Sequence, residues 1–297
     1  MSADEILDLR AYYTRVQLWP DQPFDIRPRE WLGNFHDARD FGIASALLDS
    51  FIHFSEKQTF KLFESAFASL AATDFVRSLP GSDLAAKWRA FRGAVLVSFP
   101  EGDDESASGS GYVFVRQARQ RLRIQESRLV DPSQLVSILT SGAGSRPIVL
   151  VDDIVGSGDQ FLETWSRPYD VGGQRITLRD AVANSGSTLF YAPALCTEEG
   201  YSRIAVRAPD VVISPAHMIP RVYGAGDPET ILVPDHLRPE LHDFIIRTSA
   251  RIGVSESQAY GHRGFGLAIS FDHSMPDLTL PIFWAERAGW TPLRTRR

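Results

Sequence analysis

An α/β fold with a mostly parallel sheet is the class the sequence predicts, on three grounds. Short aliphatic runs stand apart from helix-periodic stretches, the two kinds alternate along the chain, and turn residues separate them. The first third is helical by spacing. Phe41, Ala44, Leu47, Leu48 and Phe51, then Phe60, Phe63, Phe67 and Leu70, recur every three or four residues, which lines one helix face with apolar side chains. The stripe from Phe60 to Leu70 is read as packing and not as an aromatic ligand box. A break at Leu79-Pro80-Gly81-Ser82 precedes a short helix over Asp83 to Phe91 that contains Trp88. Ala94 to Phe99 is a buried strand ended by Pro100. Polar Glu101 to Ser108, a small-residue turn at Gly109-Ser110-Gly111 and a basic helix from Tyr112 to Arg123 follow, and Pro132 to Leu139 reads as one more helix.

Ile148 to Val151 is the second buried strand, followed by Asp152, Asp153 and a glycine turn; Phe161 and Trp165, four apart, mark the next helix. Strands over Thr188 to Leu195 and Val211 to Ser214 flank a helix over Glu198 to Val206. Strands that alternate with helices pair in parallel through right-handed crossovers. Leu237 to Ile252 is then helical, Leu267 to Phe271 is a strand expected to return to the sheet, and Asp277 to Trp284 is an extended piece around Pro281. The division this suggests is a helical region over residues 1–90 and a sheet domain with a C-terminal extension over 91–297.

With 43% apolar and 11% aromatic residues, the chain can bury a large core, and disorder is not expected. Its 31 basic and 37 acidic residues leave a net charge of −6. That balance gives no general attraction to nucleic acid or to an anionic membrane, so any nucleic-acid contact needs a local patch. Cys196 is the only cysteine, which rules out an intrachain disulfide and suits a reducing compartment; it is read as a small buried hydrophobe. The acidic opening from Met1 to Asp8 has no basic region followed by an apolar run, and no window reaches the ~18 uninterrupted apolar residues of a membrane helix. A cytoplasmic protein with no membrane partner is expected. The seven histidines show no metal-ligand spacing, so no structural metal is expected.

The chemistry concentrates after the second strand. An apolar run driving into Asp152 and Asp153 places two carboxylates at the carboxyl edge of a parallel sheet, where open α/β folds bind ligands. In Gly156-Ser157-Gly158 the glycines permit close approach and positive φ, so that successive N–H groups converge on one anion, and a helix from Asp159 aims its amino end at the same point. Together they describe a sugar-phosphate site: acids on the ribose hydroxyls, turn amides and the Ser157 hydroxyl on the phosphate. A departing diphosphate would bring Mg²⁺ with it. A P-loop ATPase is excluded, because Lys57, Lys61 and Lys87 are the only lysines and none stands in a phosphate loop. The plainer alternative is that the acids end a strand and the turn caps a helix.

Val149-Leu150-Val151-Asp152-Asp153-Ile154-Val155-Gly156-Ser157-Gly158 resembles the fingerprint of type I phosphoribosyltransferases. With Asp159-Gln160, the upstream Ser-Gly-Ser-Gly, Thr279 to Trp284 and Trp290 to Leu293, the chain is similar over most of its length to the phosphoribosyltransferase-like effectors of prokaryotic conflict systems, retron-associated ones included. The resemblance implies a sheet of that kind, an added N-terminal helical region and a C-terminal strand or hood segment. It implies that Asp152 and Asp153 contact the ribose diol, and Mg²⁺ indirectly through the bound diphosphate. Gly156, Ser157, Gly158, Asp159 and Gln160 would line the 5′-phosphate, and Gly109, Ser110 and Gly111 would hold diphosphate. It further implies phosphoribosyl diphosphate or a related nucleotide as ligand, a role in anti-phage defence, and a reverse transcriptase or helix-turn-helix protein as partner.

The chain departs from that pattern. Gln160 stands where catalytic members carry threonine, and Asp159 adds a negative charge. The stretch Gln125 to Pro147 leaves little flap to exclude water, and Asp103-Asp104-Glu105 adds repulsion that Arg116 and Arg119 would offset. A non-catalytic nucleotide-sensing module is therefore kept as the alternative to a pentosyl transferase. His217 and His273 are read as ordinary partly buried or turn residues, and Arg294 to Arg297 as a solvated, frayed terminus.

Overall fold

The computed structural model describes residues 1–102, 110–142 and 144–296. In chain order the helices and strands are α1 (Ala3–Arg15), α2 (Pro28–Leu32), α3 (Ala38–Ser50), β1 (Ile52–Phe54), α4 (Glu56–Ser69), α5 (Asp74–Ser78), α6 (Leu84–Ala94) and β2 (Leu96–Ser98). Next come α7 (Ser110–Gln120), α8 (Pro132–Thr140), β3 (Pro147–Val155), α9 (Asp159–Ser166), β4 (Pro168–Val171), β5 (Gln174–Thr177), α10 (Leu178–Ser185) and β6 (Thr188–Thr197). The last are α11 (Glu198–Arg207), β7 (Val212–Ile213), β8 (His217–Ile219), α12 (Arg238–Arg251) and β9 (Ile269–Phe271). The chain groups into two compact units, one made of Met1–Thr59 with Pro220–Arg297 and one of Phe60–Ile219.

The second unit is built on a five-stranded parallel sheet in the order β2-β3-β6-β7, with β8 also paired to β6 beyond β7. Alternation along the strands explains its layers. Leu96, Ile148, Leu150, Leu189 and Tyr191 face one core with α8 to α11, while Val97, Val149, Val151, Phe190 and Ala192 face the other with α4 to α7. Burial on both faces is why β3 and β6 read as unbroken apolar runs. Helices α5 and α6, which the sequence grouped with the N-terminal region, lay Val76 and Phe91 on this sheet.

The first unit joins the two ends of the chain. The α3 stripe of Ala44, Leu47, Leu48 and Phe51 packs with Trp31, Phe244, Phe283 and Trp290 in one core. Trp31 stacks on Phe283 at 5.0 Å and its indole N–H donates to the Ile282 carbonyl at 2.8 Å. The C-terminal strand does not return to the large sheet. β9 pairs in parallel with β1, His53 opposite Ser270, because Phe54 and Phe271 stack and the polar pair between them bonds internally, His53 Nδ1 to Ser270 Oγ at 2.9 Å. Pro281–Phe283 is a single 3₁₀ turn and not an extended piece. Arg294 is not part of a frayed tail: it is buried, contacts His53 Nδ1 at 3.2 Å and donates to the Phe271 and Asp272 carbonyls at the end of β9. Among the described residues no helix is long and apolar enough to cross a membrane.

Candidate functional site

β3 continues past the point where the sequence ended it. It pairs with β6 as far as Val155 opposite Cys196, so Asp152 and Asp153 lie within the strand and not beyond it. Both are buried, at 2% and 6% exposure. A carboxylate placed there needs local donors, and the neighbouring strand supplies one. The Tyr191 hydroxyl, from the residue registered against Leu150, donates to Asp152 Oδ2 at 2.8 Å, and the Asp153 backbone N–H donates to Oδ1 at 3.0 Å. Burial, then the Asp153 charge, lifts the Asp152 carboxyl well above the usual carboxylate range, which favours its protonated form. Asp153 Oδ1 accepts the Ile154 N–H at 2.7 Å. Of the two acids Asp153 is the more exposed.

Beyond Val155 the chain turns through Gly156-Ser157-Gly158 into α9. Gly158 has φ +77°, the left-handed region that glycine enters at no steric cost, and as N-cap it offers α9 no side chain. The Asp159 N–H donates to Ser157 Oγ at 3.3 Å, and the first-turn amides that follow it receive no side-chain cap from Gly158. The turn is tied to the end of β6. The Thr197 hydroxyl donates to the Gly156 carbonyl at 2.7 Å and accepts the Gly200 N–H at 2.9 Å, capping α11. A Cβ on Gly200 would sit 2.2 Å from the Gly156 oxygen, so only glycine lets the first turn of α11 lie against the loop. The amino ends of α9 and α11 therefore share one edge of the sheet.

That edge already holds a negative charge. Ser157 Oγ donates to Asp159 Oδ2 at 2.7 Å, and Arg203 of α11 meets Asp159 Oδ1 at 2.6 Å while donating to the Ser157 carbonyl at 3.3 Å. The Ser157 hydroxyl expected on a ligand phosphate is thus engaged by Asp159. Gln160 turns elsewhere: its amide donates to the Pro100 carbonyl at the end of β2, at 3.1 Å. Thr164 accepts the Glu101 N–H at 2.9 Å, and Glu101 accepts from Tyr169 at 2.7 Å and from Arg167 at 3.1 Å, so the chain leaving β2 is anchored beside α9.

The structure brings Asp152, Asp153 and the residues from Gly156 to Asp159 to one place, while the Gln160 side chain is held at the Pro100 carbonyl. Ser110 and Gly111 do not form a separate turn; they open α7, because small residues suit a helix start as well as a turn. Gly109, Asp103, Asp104 and Glu105 lie outside the described residues. His217 is exposed on β8, and in the other unit His273 is half-buried against Phe271, ring centroids 5.3 Å apart. Burial pushes the Cys196 thiol up to about 12, which makes it inert packing. Sequence reasoning missed Tyr191, Thr197, Gly200 and Arg203. Thr197 before Glu198-Glu199 is a readable helix cap, whereas Tyr191 and Arg203 act across 39 and 46 residues and carry no local signal.

The PRTase-CE family model matches residues 28–296 of the chain. No curated protein matches the sequence.

Proposed function

Because the chain belongs to PRTase-CE, a phosphoribosyltransferase-like family, we propose that it binds phosphoribosyl diphosphate or a related nucleotide, with Mg²⁺, at the turn from Val155 to Gln160. One observation carries this reading. A glycine turn with positive φ at Gly158 leaves β3 at its carboxyl end and starts a helix whose N-cap has no side chain, with a second helix amino end locked beside it. Asp153 would accept from a ribose hydroxyl, and the amides of the turn would hold the 5′-phosphate. Among the described residues no three acidic, cysteine or imidazole side chains converge. The hard oxygens of the ligand's own diphosphate would therefore carry Mg²⁺, whose chemistry is to neutralise the leaving group.

In the transfer reading, a nucleophile attacks the anomeric carbon, the bond from that carbon to the diphosphate oxygen breaks, and diphosphate leaves with the electron pair. The protein's part is positioning and electrostatics. We extend the reading to an effector of bacterial anti-phage defence acting in the cytoplasm with a reverse transcriptase or helix-turn-helix partner, on the strength of the sequence resemblance alone. A second reading, nucleotide sensing without turnover, is favoured by Asp152, whose bond to Tyr191 and raised pKa commit one of the two acids internally. Incubation with phosphoribosyl diphosphate, Mg²⁺ and nucleobases separates the two. Diphosphate release that Asp153→Ala abolishes supports transfer, saturable binding without release supports sensing, and neither outcome removes the ligand assignment.

A further inference from the structure

Positive charge is unevenly spread over the second unit. The segments 84–98 and 110–128 carry eight basic residues, seven of them arginine, against the single acid Glu126, in a chain whose net charge is −6. Both segments pack on the same core, through Phe91 of α6 and Phe114 and Ala118 of α7. The carboxyl ends of α6 and α7 meet where the Arg92 guanidinium donates to the Leu122 carbonyl, and Arg128 Nη1 donates to the Arg92 carbonyl at 3.0 Å. Those two arginines are accounted for by the bare carbonyls of chain leaving a helix. The others are not. Arg119 reaches Glu126 at 3.1 Å, but the side chains are 57% and 74% exposed, and such pairs contribute little. Arg89, Arg116 and Arg123 are exposed and have no partner among the described residues. Arg123 also sits at φ +54°, in the sparsely populated left-handed region.

The chemistry of the surface selects its partner. Guanidinium forks match phosphate oxygens, and arginine outnumbers lysine seven to one here. A protein partner would need an apolar anchor, yet Leu84, at the first position of α6, is the one large hydrophobic side chain exposed among the described residues of the two segments, and a lone apolar side chain makes no such anchor patch. The acidic remainder of the molecule is screened over about 8 Å at physiological salt, so a local patch acts despite the net charge. We propose that this surface of α6, α7 and the turn after α7 binds the sugar-phosphate backbone of a nucleic acid, independently of the sugar-phosphate site.

The test uses the full chain and fluorescence anisotropy with labelled single-stranded RNA and DNA, about 30 nucleotides long, and the corresponding duplexes, from roughly 50 to 200 mM salt. Wild type is expected to bind with an affinity that falls steeply with salt, and the RNA, DNA and duplex arms rank the natural form. Arg89→Glu with Arg116→Glu and Arg123→Glu should lower affinity at least about tenfold and flatten the single-strand salt slope by about 2, the value for three lost phosphate contacts. The three lysine replacements should retain most of the binding. Single reversals of Arg116 or Arg123, exposed and away from the core, give smaller steps of the same sign and stand in if the triple variant fails to fold. Absence of salt-dependent binding by wild type, undiminished binding by the reversal variants, or equal affinity for polyglutamate would each overturn the proposal.

Discussion

Asp159 brings its carboxylate to the amino end of α9, 2.7 Å from the Ser157 hydroxyl and 2.6 Å from the Arg203 guanidinium, where it competes with any phosphate for the same donors. Asp159→Asn should therefore tighten binding of ribose 5-phosphate about tenfold, since a hydrogen bond to a charged group contributes ~1.5–3 kcal/mol. Arg203→Ala in that background should cancel the gain. Calorimetric titration reads both effects, and an unchanged affinity in the asparagine variant would show that the carboxylate does not obstruct the loop. Asp152 makes a separate prediction. Its folded-state pKa lies above its unfolded value, so between the two the native state holds a proton that the unfolded chain has released. Its contribution is fully present below pH ~4 and declines as pH rises towards the folded pKa, by about 1.4 kcal/mol per pH unit. Asp152→Asn keeps an acceptor for Tyr191 and removes the ionisation. Urea unfolding should then show a shallower decline of stability above pH ~4 than wild type, and parallel curves would exclude a raised pKa at this position.

At the scale of elements, local pattern and long-range pairing differ in how legible they are. Apolar periodicity located α3, α4, α8 and α12 to within a few residues, because each buries one face of a regular helix. The runs before Asp152 and from Thr188 located β3 and β6 for the complementary reason, burial on both faces. What could not be read was the extension of β3 through two acids: polarity argues against a buried strand until Tyr191, on another strand, supplies the partner. The β4–β5 hairpin was overlooked although Gly172-Gly173 at its turn, φ +61° and +81°, is a strong two-residue hairpin signal. The pairing of β1 with β9 was illegible, since three-residue strands have almost no pattern and their partners are remote in sequence. The site followed the same division. Its glycine turn was visible from spacing, while Arg203 and Thr197 arrive from the next strand-helix unit.

At the scale of the whole molecule, the first unit depends on both chain ends. Trp290 and Leu293 are buried in the same core as Trp31 and Phe35, and the Arg27 N–H donates to the Leu293 carbonyl at 2.8 Å. Removal of residues 289–297 should consequently destabilise this unit by roughly 3–5 kcal/mol, the cost of deleting a large buried aromatic, and should expose its N-terminal helices to protease. Thermal unfolding with limited proteolysis checks this; a truncated chain with an unshifted transition would show that the C-terminal segment is dispensable. The net-charge argument against nucleic-acid contact holds only for the average surface, and the arginines of α6 and α7 are the local exception that it allows.

The parallel pairing of β1 with β9 has a temporal consequence. A ribosome making roughly 5–20 residues per second leaves Ile52–Phe54 without its neighbour for about 10–40 s, while the contiguous stretch Phe60–Ile219 can already collapse around its own sheet. Throughout that interval the aromatic face carried by Trp31, Phe35 and Phe51 lacks Phe283 and Trp290, which cover it in the folded unit. The segment around β1 is thus the one most exposed to holdase chaperones and to aggregation, and its maturation waits on the translation of residues 269–293.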